Sequence, residues 1–164
     1  MKKLIIALCV TVATFFATEV AAQTYNSAIG LRLGYPTSLS YKTFLSEKAA
    51  FEGILGFRSN SIGWRWIAVG AAYQVHNPIN GVPGLQWYYG GGASLYLWSF
   101  DDDVFFEDES NVSFGIQGYL GLDFKIPNAP INLSLDWVPT FFIGGYGSGF
   151  GADYGSLSVR YTLK

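Results

Sequence analysis

Cysteine is nearly missing from this chain. Cys9 is the only one, and it lies in the apolar stretch that opens the sequence. No disulfide framework holds the rest together, and a domain of this size does not need one. Charge is also scarce, at 13%. Ten Lys plus Arg stand against twelve Asp plus Glu, with no basic stripe, so nucleic acid is a poor partner. Beyond residue 22, no apolar run approaches the about 18–20 residues that a membrane-spanning helix requires. Histidine occurs once, as His76 beside the Asn77-Pro78 turn. With no serine and carboxylate assembled around it, a Ser/His/acid site is not expected. The sequence places it on a rim, with one backbone or solvent partner.

What is abundant is apolar and aromatic. Half the residues are hydrophobic, 18% are aromatic and twenty are glycine. A chain this apolar, without a spanning helix, must put its hydrophobicity on strands. Residues 1–22 do not belong to that fold. Lys2 and Lys3 precede an apolar core from Leu4 to Phe16, and Val20 and Ala22 place small residues before Gln23. This is the pattern of a cleavable signal peptide. It leaves 23–164 as a single domain.

Alternation then dominates. Leu157, Val159, Tyr161 and Leu163 interleave with Ser158, Arg160, Thr162 and Lys164, giving one oily and one polar face. The same pattern recurs in strands expected at 28–35, 38–45, 49–58, 64–75, 85–98, 112–125 and 131–142. Pro139 cannot donate to a ladder, so the last of these should be irregular near its far end. The eight strands are joined alternately by two kinds of connection. Segments 46–48, 77–84 and 126–130 fall at one end; 36–37, 59–63, 99–110 and 144–155 fall at the other. An even number of strands allows up-and-down closure of the first against the last. An oily exterior around a polar interior is what lipid outside and a wet lumen inside demand. The bland alternative is a secreted sandwich that packs the same residues in its core.

In the stretches AIGLRLGYPTSLSYKTFL, AAFEGILGFR, GLDFKIPNAPINLSLDWVPTF and SLSVRYTLK, the chain resembles the small eight-stranded outer-membrane barrel proteins (OmpA/OmpX-like). The resemblance implies an all-β, antiparallel, up-and-down transmembrane β-barrel in a Gram-negative outer membrane. Lipid, lipopolysaccharide and the assembly machinery would be its surroundings. Val159, Tyr161 and Leu163 look like that family's C-terminal insertion signal, although Lys164 follows where many members end in Phe.

Several charges fall on the expected inner face: Arg32, Lys42, Glu52, Arg58, Asp123, Asp136 and Arg160. An eight-stranded barrel is just wide enough for side chains to fill, and buried charges must pair. These seven are therefore read as an internal salt-bridge plug. Segment 99–110 is acidic, and Asp101, Asp103 and Glu107 are the candidate ligands for a hard divalent cation, though the spacing is that of no EF-hand loop. Solvated loop residues are the simpler reading. The expectation is a monomeric, cofactor-free, non-enzymatic scaffold, structural or adhesive, with loops 99–110 and 144–155 offered to an extracellular ligand. A narrow pore and a secreted soluble barrel for an apolar ligand are the alternatives; a lipid A-modifying enzyme is a more distant third.

Overall fold

A computed structural model describes residues 25–34, 37–59, 64–100, 112–145 and 148–163. The expected signal segment 1–22 and the acidic residues Asp101, Asp103 and Glu107 lie outside the described residues. The elements are β1 (Ser27–Gly34), β2 (Thr37–Phe44), β3 (Ala49–Ser59), β4 (Trp64–Pro78), β5 (Leu85–Phe100), β6 (Val112–Lys125), β7 (Ile131–Trp137), β8 (Thr140–Ile143), β9 (Gly149–Gly151) and β10 (Gly155–Leu163).

These strands form a closed, eight-stave antiparallel β-barrel. Strands β1 to β6 pair in chain order, β6 pairs with both β7 and β8, β7 pairs with β10, and β10 returns to β1. Ser27 stands opposite Leu163 and Gly34 opposite Ser156, so first and last strands zip over their whole length. No helix occurs among the described residues.

Ten strand segments make eight staves because two staves are broken. The seventh stops at Trp137 and resumes at Thr140, and Pro139 lies in the gap. Its missing N–H interrupts the ladder, yet its carbonyl still accepts from Gly118 N at 2.9 Å. The eighth stave contains β9, which pairs with β8 through Phe141 and Phe150. Segment 144–155, expected to be loop throughout, therefore includes ladder. Strands β4 and β5 also run past their expected ends, to Pro78 and Phe100.

The wall is inside out relative to a water-soluble domain. Leu31, Leu55, Leu120 and Leu157 are each 50% exposed, whereas Glu52 is fully buried and Arg160 is 1% exposed. Along β10, exposed Leu157, Val159, Tyr161 and Leu163 alternate with buried Ser156, Ser158, Arg160 and Thr162. The two-residue period of a pleated strand is enough to produce this sorting. Gly30 illustrates how tightly the inner face is drawn. It pairs with Arg160 on one side and Ser40 on the other, and a Cβ there would run into the carbonyl of Val159.

Candidate functional site: the barrel lumen

Two layers of side chains fill the lumen. The lower is ionic and lies toward the short-turn end. The upper is aromatic.

Glu52 on β3 is the hub of the ionic layer. Its Oε1 accepts from Arg32 Nη1 at 3.0 Å, from Ser40 Oγ at 2.7 Å and from Arg160 Nη2. Its Oε2 accepts from Gln74 Nε2 at 2.7 Å, with Lys42 Nζ 3.9 Å away. Arg32 Nη2 also donates to Asp136 Oδ1 at 3.0 Å. The Asp136 carboxylate takes two more bonds, from Ser156 Oγ at 2.8 Å and Tyr88 OH at 2.6 Å. Arg160 spends its remaining donors on Ser40, Ser134, Asn132 and Ser158.

Asp123 closes the layer toward the short-turn end. Lys42 Nζ donates to it at 3.3 Å, Asn132 Nδ2 at 2.6 Å and Tyr25 OH at 3.2 Å. Tyr25 precedes β1, so the chain enters the barrel by laying a phenol across its mouth. Burial first, and then the neighbouring Asp123 carboxylate, push the Tyr25 phenol well above its ordinary pKa, which keeps it a donor.

Three cations and three carboxylates thus neutralise one another. Buried ions are tolerated only when paired and hydrogen-bonded, and each of these carboxylates accepts from two or more side chains. Six of the seven expected charges are brought together: Arg32, Lys42, Glu52, Asp123, Asp136 and Arg160. Arg58 is not in this cluster. It lies near the far end of β3, opposite Trp66, and is half-buried. Its position close to the barrel end, where the lumen gives way to loops, leaves it outside the plug.

The upper layer is Trp66, Ala68, Tyr96 and Phe142, with Trp98 and Tyr154 packed against it. Trp66 and Tyr96 meet edge to face at 5.1 Å, and Tyr96 meets Phe142 at 5.2 Å, favourable geometries for ring quadrupoles. Between the layers, beside Arg32, Ser94 and Gln117, is a void of about 20 Å³, room for one water molecule.

His76 corrects an expectation. It is not a solvated rim residue but fully buried. Its Nδ1 and Gln86 Oε1 are 3.1 Å apart. Its ring stacks on Tyr88 at 4.8 Å and packs on Phe44 at 4.9 Å. Lys42 Nζ sits 4.5 Å from the same Tyr88 ring, a cation–π contact. Sequence reasoning missed this stack because β4 runs three residues past its expected end at 75, through the turn signal Asn77-Pro78. The parity of Gln74 and His76 carried the needed signal, since both fall on the inward face.

No protein-family model, curated protein or solved structure matches this sequence. Chemically, the lumen offers pairing and packing. Its carboxylates are saturated by protein donors, and among the described residues no cluster of His, Cys, Asp and Glu could hold a metal ion.

Proposed function

We propose that this protein is a small integral outer-membrane β-barrel. It is a monomeric structural or adhesive scaffold that holds its outer loops in place, after export by a cleaved signal peptide. The observation that carries this reading is the inversion of polarity across the wall. Leucines at 50% exposure ring the outside while a full ionic network is buried inside. In water such a surface would aggregate. In lipid it is the required one, and closure leaves no unpaired strand edge in the wall's continuous part.

The exposed tyrosines support the same orientation. Tyr41, Tyr73, Tyr89 and Tyr161 all face outward in the half of their strands nearer the short turns, where a phenol can reach a headgroup layer. That end is taken as periplasmic. Loops 99–110 and 144–155 then face the medium, the latter with Phe150 at 68% exposure.

The filled lumen favours a scaffold over a pore, and its polar lining does not suit an apolar ligand. The buried His76, engaged with Gln86, Tyr88 and Phe44, does not favour an enzyme. Heat-modifiable gel mobility tests the reading. The membrane-extracted mature protein should migrate differently before and after boiling. A chain that stays soluble without detergent would refute it.

A further inference from the structure

The outer wall is not uniformly convex. A groove of about 380 Å³ crosses β5, β6 and β7 near their short-turn ends and reaches the opposite, Gly155 end of β10, lined by Val82, Leu85, Leu122, Phe124, Leu133 and Leu157, with no polar surface facing it. Register explains the lining. Leu85 pairs with Phe124 and Phe124 with Leu133, while Leu122 pairs with Leu135 and Leu135 with Leu157. The groove's border at Val82 is built by the β4–β5 turn. Lys125 N donates to Gly84 O at 2.8 Å and Leu85 N to Val82 O at 3.1 Å, which folds the turn against β6. Gly84 permits that approach. It has φ +84°, and a Cβ would strike the carbonyl of Lys125.

From this groove an apolar path runs down the wall. Leu133 pairs with Val159, and Ile131 with Tyr161. It ends at a rim cleft of about 770 Å³, lined among others by Asn26, Lys125, Asn128, Tyr161 and Leu163 and, among the described residues, by no carboxylate. Lys125 Nζ donates to the carbonyls of Ile126 at 3.0 Å and Ala129 at 2.6 Å. An ammonium has three hydrogens, so one donor is left for a ligand. An oily channel that ends at a fixed cation is complementary to a tail joined to an anionic head.

We infer that the groove and the cleft together hold one glycerophospholipid of the periplasmic leaflet, an acyl chain against Leu122 and Leu133 and its phosphate at Lys125. This inference rests on the membrane reading. Close packing of the acyl chain on the leucines contributes to retention, and the charge-assisted bond to phosphate fixes the head.

The test uses the mature protein in vesicles of phosphatidylethanolamine and phosphatidylglycerol in equal parts, extracted into mild detergent and weighed by native mass spectrometry. Only protein with heat-modifiable mobility is weighed, so a failed membrane assignment shows at that step and not in the lipid count. Wild-type protein and Leu39→Trp, on β2 across the barrel, should each retain one phospholipid. Leu122→Trp, which fills the groove, and Lys125→Gln should lower that retention about tenfold. The inference is overturned if wild type keeps no lipid, if Leu122→Trp keeps as much as Leu39→Trp, or if a lipid-free dimer is found instead. Unchanged retention by Lys125→Gln alone would overturn the phosphate assignment.

Discussion

Arg32 and Glu52 meet at 3.0 Å across the lumen, although β2 stands between their strands in the wall. The pair is a chord of the barrel, not a neighbour contact along the sheet. Arg160, from the other side of β1, reaches the same carboxylate. Three staves are thus tied through one residue.

Removing that residue should be severe. Glu52→Ala leaves Arg32 and Arg160 each without one buried partner, and breaking a buried pair in this way costs about 3–5 kcal/mol. Glu52→Gln keeps the volume and one acceptor and should cost less. Urea unfolding of the vesicle-folded protein, followed by gel mobility, would rank the two. Equal midpoints for wild type and Glu52→Ala would mean that the network carries no stability.

Gly30 should resist enlargement. Its neighbours Arg160 and Ser40 are bonded to one another at 2.7 Å. A branched side chain would meet the backbone of β10 directly. Gly30→Val is expected to lose about 1–3 kcal/mol by overpacking, whereas Leu31→Val, on the outer face, should change little. The same urea titration decides between them.

Tryptophan quenching reads sidedness without any functional assay. Trp137 is 49% exposed on the outer face and Trp66 is 1% exposed in the lumen. In variants that keep one tryptophan each, brominated lipid should quench Trp137 strongly and Trp66 weakly. The opposite order would mean that the faces have been exchanged.

Orientation can be checked because the chain past Cys9 contains no cysteine. Asp103→Cys should react with an impermeant maleimide on intact cells. Gly81→Cys, in the β4–β5 turn, should react only after the outer membrane is opened. Labelling of Gly81→Cys on intact cells would place the short turns outside.

Much of this fold was legible because a strand's side-chain period is two and sorting between two faces uses every residue. Leu157 to Leu163 declared both faces of β10 without any tertiary information. The seventh stave was legible down to its fault, since Pro139 has no hydrogen to give. Depth within the lumen was not legible. Arg58 and Glu52 share the parity of β3, yet only Glu52 sits at the level where charges converge. Parity assigns a face; height depends on stagger between strands, which arises from pairings such as Glu52 with Lys42 and Ala72. His76 was misplaced for the related reason that a turn signal marks where a strand is able to end, and hydrogen bonding decides where it does.

The seam between β1 and β10 has a temporal meaning. The ribosome makes Glu52 long before Arg160, so a nascent chain carries that carboxylate with its set of cations incomplete. Until the final stave arrives, β1 and β7 also lack their shared neighbour. A product cut short before Gly155 would therefore present two raw edges and an unbalanced interior.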